Sequence, residues 1–203
     1  MKKAILVLSA ISLMIIGSNC GTGTDKKKAV VSQVTDTVQI KTPLEKGKEM
    51  ALKTKAELGR FLMTAIREKG TAGAVAFCST RALQITDSMS TVLGSHLKRV
   101  AEFNRNPINT VTADELSYIQ QVKAALAAKE NPRPQLTENS ETITGYYPIL
   151  TESLCLQCHG DKKTEIEPTT LAAINRLYPG DKATGFKLNE LRGIWVVEMK
   201  KPK

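Results

Sequence analysis

An α+β fold with an antiparallel sheet is predicted by three features of the chain. Helical patterns precede and interrupt several short strand-like stretches. No βαβ alternation runs between them, so a parallel sheet would lack its crossover helices. The 203 residues are 41% hydrophobic, which suits one ordinary globular domain with a tail and excludes disorder for most of the chain. No internal repeat, collagen period or coiled-coil period is present.

The elements follow from local signals. Thr42 can cap a first helix with Pro43 in its opening turn. Leu58, Phe61, Leu62 and Ile66 recur at helical spacing as far as Glu68, and Gly70 stops the helix. A second helix is expected over about 72–89, where Val75, Cys78, Ala82 and Ile85 form one stripe, with Gly94 breaking it. Residues 97–103 suit a strand, and Arg105-Asn106-Pro107 a turn. A third helix over about 113–129 sets Leu116, Ile119, Val122 and Leu126 on one face and ends at Asn131-Pro132-Arg133-Pro134. Residues 141–150 read as one or two strands. A turn-rich stretch over 153–168, a short helix over 169–177, a turn at Tyr178-Pro179-Gly180-Asp181 and an alternating strand over 193–199 complete the chain.

The N-terminus reads as an export signal. Lys2 and Lys3 form its positive region, and Ala4 to Ile16 form an apolar run too short to span a bilayer comfortably. Gly17-Ser18-Asn19-Cys20 then resembles a bacterial lipoprotein cleavage site, although Asn19 stands where Gly or Ala is commoner. An ordinary secretory signal with Cys20 incidental is the alternative. Removal of residues 1–19 from 203 leaves 184, and the formal charge drops from +9 to +7 with Lys2 and Lys3 gone. Residues 20–41, with Gly21, Gly23 and the Lys26-Lys27-Lys28 run, read as a flexible tether. The domain is expected to span 42–203. Acyl chains on Cys20 would anchor it to a membrane, on the periplasmic side of the bacterial cell envelope or at the outer membrane. The lysines are scattered and aromatics make up only 4%, so the basic balance reads as a solvated surface and no nucleic-acid partner is expected.

The motif with the most chemistry is Cys155-Leu156-Gln157-Cys158-His159. The C-x-x-C-H pattern reads as covalent attachment of one heme c. Two thiols one helical turn apart can add to two vinyl groups on one edge of a porphyrin, and the adjacent imidazole can reach iron. A thioredoxin-like pair would follow a strand in a βαβ unit, which this chain lacks. A zinc site needs four ligands, and there is no second C-x-x-C pair. A structural disulfide between Cys155 and Cys158 is the plain alternative. With Cys20 assigned to lipid, Cys78 is the remaining cysteine, either a small core residue or an iron ligand. From the residues alone, the sixth-ligand candidates are Cys78, His96, Met50, Met63, Met89 and Met199.

Five ordered segments carry a family resemblance. They are Ala76-Phe77-Cys78-Ser79, Arg105-Asn106-Pro107 with Asn109, Cys155-x-x-Cys158-His159-Gly160, the run from Tyr178-Pro179-Gly180-Asp181 to Gly185-Phe186, and Leu191-Arg192-Gly193. Together they resemble the Tll-type c-heme domain family over about residues 45–200. The resemblance implies a PAS-like antiparallel sheet with flanking helices and a long N-terminal helix. It also implies iron held by His159 and Cys78. One segment departs from the family: Arg99-Val100-Ala101-Glu102-Phe103 lacks its Ser/Thr-bearing strand.

An anionic thiolate ligand favours ferric iron, so a His/Cys heme should have a low reduction potential. The expected function is a membrane-tethered heme protein in redox or gas sensing that works through a separate redox or signalling partner. A small periplasmic electron-transfer cytochrome is the alternative. A six-coordinate iron has no vacant catalytic position, so no enzyme activity is expected.

Overall fold

The computed structural model describes residues 41–201. The expectations for residues 1–40, including the signal, Cys20 and all but the last residue of the tether, lie outside the described residues.

The first helix, α1, spans Pro43–Leu93. Its start is specified as the sequence predicts. The Thr42 hydroxyl accepts from the Glu45 amide at 3.3 Å, and the Glu45 carboxylate accepts from the Thr42 amide at 2.8 Å. Inside it, Gly70 has φ 66° and ψ −177°, a conformation open to glycine and strained for other residues. Phe61 and Phe77 nonetheless stack with ring centroids 6.2 Å apart. Sixteen residues along a straight helix would separate them by about 24 Å at the standard rise. The helix therefore reverses at Gly70 into two antiparallel arms, the two helices that the sequence predicts. Small residues on either side of the reversal, Ala65 and Ala74, are both buried.

The remaining elements are β1 (His96–Val100), a single 3-10 turn (Pro107–Asn109), α2 (Ala113–Ala127), β2 (Gln135–Glu138), β3 (Thr142–Leu150), α3 (Ser153–His159), α4 (Pro168–Leu177) and β4 (Leu191–Lys200). The four strands form one sheet in the order β1-β4-β3-β2, antiparallel throughout. The α+β class with a long N-terminal helix is thus the fold of this chain.

Three details correct the sequence reading. The stretch after residue 153 opens with a helix, α3, because Cys155 and its neighbours close a helical turn from Glu152. The strand β2 was not anticipated: it is a four-residue polar edge that takes its register from β3. The run Ile194-Trp195-Val196-Val197 in β4 is buried on both faces and does not alternate polar with apolar. β4 is a central strand with helices on both sides, which favours a continuous apolar run.

One face of the sheet packs Leu97, Ile143, Tyr147, Trp195, Val197 and Met199 against Ala51 of the first arm of α1. The Tyr147 hydroxyl donates to Leu44 O at 3.0 Å and ties the sheet to the start of that arm. The opposite face packs Val100, Tyr146, Ile194 and Val196 against Tyr118, Ile119 and Val122 of α2. A third cluster lies away from the sheet: Val75 on the second arm meets Ile166, Ala173 and Ile174, with Cys158 and Tyr178 packed against it. This cluster carries the second arm of α1 onto α3 and α4.

Candidate functional site

The polypeptide leaves β3 at Thr151, which is fully buried. Its hydroxyl accepts from the Glu190 amide at 2.9 Å and also bonds Lys187 O, so the base of α3 is fastened to the segment that enters β4. α3 then sets Cys155 and Cys158 one turn apart, with both thiols free and half-buried. The Glu152 amide donates to Cys155 Sγ at 3.3 Å. Gly160 closes the helix by close approach: a Cβ there would sit 2.6 Å from Leu156 O and would also collide with the Glu165 carboxylate.

The loop after Tyr178 wraps the histidine. The Gly185 amide donates to Gly160 O at 2.8 Å and the Phe186 amide to His159 O at 3.0 Å. The Phe186 ring meets the imidazole edge-on at 6.4 Å. Nδ1 of His159 lies 2.7 Å from Ala183 O. A carbonyl only accepts, so Nδ1 carries the proton and Nε2 keeps its lone pair, the arrangement that a metal-binding imidazole requires. Arg192 Nε is 3.3 Å from the same Nδ1. That nitrogen has no second site to accept a donor, so Arg192 is there as a neighbouring cation. Burial, and then the Arg192 and Arg105 charges, push the His159 pKa well down, which keeps the imidazole neutral and available as a ligand.

Arg105 joins three segments. It pairs with Asp181 through Nε at 3.0 Å, and its terminal nitrogen donates to Cys158 O at 2.6 Å and to Ala183 O at 3.3 Å. The pair is nearly sealed from water, with side chains 11% and 6% exposed. Asp181 also accepts from the Ala183 amide at 3.0 Å, which shapes the loop that presents Ala183 O to His159. Arg105 thus connects the turn after β1, the end of α3 and the loop after α4.

Cys78 stands on the second arm of α1, half-buried, one turn beyond the Val75 that packs with Cys158. Burial pushes its thiol pKa up, against the opposing pull of Arg99 and Arg105. Burial likewise pushes the Cys158 thiol pKa up, against the pull of Arg105 and with smaller contributions from Cys78 and Cys155. The second arm of α1, which carries Cys78, thus shares a packing cluster with Cys158 of α3, the helix that also carries Cys155 and His159. The other ligand candidates lie elsewhere or show no link to it. His96 is exposed on β1, Met63 is exposed, and Met50 and Met199 belong to the core between α1 and the sheet. Met89 is half-buried near the end of α1.

Among the described residues, no group of three His, Cys, Asp or Glu side chains forms a metal-binding cluster. No described helix is long and apolar enough to cross a membrane. The donor set fits a covalently attached heme: two free thiols one turn apart, a neutral imidazole with its tautomer set by a carbonyl, and uncompensated cations beside them. Sequence reasoning found the cysteines and the histidine but assigned no role to Ala183, Arg105, Asp181 or Arg192. All four lie in the family-like segments, which was the one signal available for them.

The chain is an α+β domain with a four-stranded antiparallel sheet and a long N-terminal helix, and its histidine follows a C-x-x-C pair. The profile of the Tll0287-like family matches residues 23–200, and this chain belongs to that family. Its fold is similar to the crystal structure of the cyanobacterial heme-protein Tll0287, at 22% sequence identity and a TM-score of 0.58, over 80% of this chain and 99% of the other. A search of curated proteins finds none that matches.

Proposed function

We propose that this chain is a membrane-tethered c-type heme protein whose iron is held by His159 and Cys78, acting in redox or gas sensing. The observation that carries the reading is the 2.7 Å contact from His159 Nδ1 to Ala183 O beside the Cys155 and Cys158 thiols, which leaves Nε2 as a free donor. Family membership and the heme-protein relative support heme as the group received. When bound, it supplies one-electron iron chemistry. Cys155 and Cys158 would anchor it by thioether bonds, and His159 would supply a neutral nitrogen ligand. Arg105 holds the carbonyls of Cys158 and Ala183 in place. Cys78 is the candidate among the sixth ligands that stands on the helical arm sharing a packing cluster with Cys158. Its thiolate would favour the ferric state and a low potential. With His159 and Cys78 both committed to the iron in the ferric state, no enzyme activity is proposed. Lipid on Cys20 would hold it to the cell envelope.

Spectra of the ferric and ferrous protein, with and without CO or NO, test the reading. The ferric parent should be low-spin with a thiolate signature by EPR and near-infrared absorption. Reduction should release Cys78 and admit CO. Cys78→Ser should abolish the thiolate signature and raise the potential while the heme stays attached through acid–acetone extraction. His96→Ala should change little. A parent that keeps both ligands in both states and excludes CO would be an electron carrier.

A further inference from the structure

Three guanidinium groups converge on the site, and one of them has an acidic partner. Arg105 is paired with Asp181. Among the described residues, neither Arg99 nor Arg192 has a carboxylate within ion-pair distance. Three positive groups against one carboxylate leave two positive charges uncompensated in a part of the protein largely withdrawn from water, an arrangement that is costly unless anions arrive to meet it.

The fold aims both groups deliberately. Arg99 lies opposite Trp195 in the β1–β4 ladder, and its guanidinium sits 5.4 Å from the centre of that ring. Two residues before it, Leu97 packs on the face covered by α1, and strand alternation sends Arg99 to the same side. The groups acting on its charge are Cys78 and Tyr178. Arg192 owes its direction to a bulge. Ile149 faces Gly193 and Leu150 faces Leu191, so the ladder skips Arg192. Leu191 consequently packs with Ile194 beside α2, and Arg192 reaches the His159 ring, Phe103 O and the face of Phe186. The groups acting on its charge are Arg105, Arg99, Asp181 and Cys155, and burial with the two like charges pushes its pKa down to about 10.

We propose that Arg99 and Arg192 receive the two propionate groups of the heme, one each, while Arg105 is retained by Asp181 as the structural cation. The inference rests on the heme reading above. A heme c brings two carboxylates into the site with the macrocycle, which equals the number of unpaired guanidinium groups. Charge-assisted pairing of this kind is strong and keeps a carboxylate ionised well below its ordinary titration range.

The test is the reduction potential between pH 5 and pH 8 of the Cys78→Ser holoprotein, the parent for this measurement, because a Cys78 thiolate released on reduction would itself take up a proton. In the parent the potential should be flat, because both propionates remain ionised. Arg99→Gln and Arg192→Gln should each lower the potential at pH 8, since losing a cation favours the ferric form. A tenfold change in that preference is about 59 mV for one electron. In each variant the potential should then climb as the pH falls, as the released propionate takes up a proton. Arg99→Lys should restore the flat profile. Flat profiles in both Gln variants would overturn the inference, leaving Arg99 a cation stacked on Trp195. A parent potential that already climbs over this range would overturn it without any variant. Absence of covalent heme from the parent on a denaturing gel would instead defeat the function proposed above.

Discussion

The sheet end buries Leu97, Ile194 and Val197 to 1% exposure or less, by apolar contact with α1 on one side and α2 on the other. The end that carries Cys155, Cys158 and His159 is organised by polar contacts. There Arg105 reaches Asp181, Cys158 O and Ala183 O, Thr151 reaches the segment before β4, and backbone amides of the loop reach Gly160 O and His159 O. Apolar packing tolerates changes that preserve volume, whereas a hydrogen-bonded network fails at a specific atom. The contrast teaches that stability and site geometry are controlled by separate residues. Substitutions at the two ends should therefore separate in their readouts.

Arg105→Ala should have the largest effect. It leaves the Asp181 carboxylate nearly sealed from water without its cation, which in comparable buried pairs costs about 3–5 kcal/mol. It also frees the carbonyls of Cys158 and Ala183, so His159 loses the fixed orientation of its loop. Urea unfolding of the heme-loaded protein should show the lost stability, and the ferric spectrum should change with it. An unchanged spectrum beside a large stability loss would mean that the network supports the fold and not the site.

Ile194→Ala sharpens the contrast from the other side. Ile194 has no exposed surface and packs with Val100, Tyr118, Ile119 and Val122. Truncation of a buried Ile costs about 2–5 kcal/mol, depending on how far the cavity collapses. Its cluster contains none of the ligand candidates, so the ferric spectrum should match the parent at temperatures where the variant is folded. A shifted spectrum would show that the sheet transmits strain to β4 at Gly193 and Arg192, and the separation of the two ends would fail.

The same contrast explains how much could be read from the sequence. The reversal at Gly70, the cap at Thr42 and the helix α2 were legible because periodicity and capping are local signals. Cys155, Cys158 and His159 were legible because the chemistry fixes their spacing. The strand β2 was hidden: Gln135-Leu136-Thr137-Glu138 is a polar edge that exists through pairing with β3. The partner of His159 is a backbone oxygen 24 residues away, and no side chain at Ala183 announces it. The direction of Arg192 depends on a ladder irregularity between β3 and β4, which strand alternation alone would have assigned to the other face. The polar end is therefore the less legible one, since its contacts join segments distant in the chain.

The smallest effect is expected at Thr42. Its hydroxyl and the Glu45 carboxylate close a reciprocal cap on α1, exposed to water and at the far end of the first arm from the reversal at Gly70. Thr42→Ala removes the acceptor for the Glu45 amide and leaves an N-terminal donor of the helix to water. Caps of this kind contribute about 1 kcal/mol. Hydrogen bonding to Thr42 is also what holds the Glu45 carboxyl below its ordinary pKa. A lowered carboxyl pKa stabilises the fold above the unfolded pKa and ceases to do so as the pH falls through the folded value. Wild type and Thr42→Ala should therefore differ in thermal midpoint at neutral pH, and the gap should narrow without closing as the solution is acidified through the carboxylate range, because the variant loses the hydroxyl's bond to the carboxylate together with a bond to the Glu45 amide that does not titrate. The second arm, which carries Cys78, begins only after Gly70, so the ferric spectrum should not move at any of these pH values. A spectral change from this cap would mean that the start of α1 positions Cys78 through the whole helical hairpin, and that the two ends of the molecule are mechanically one.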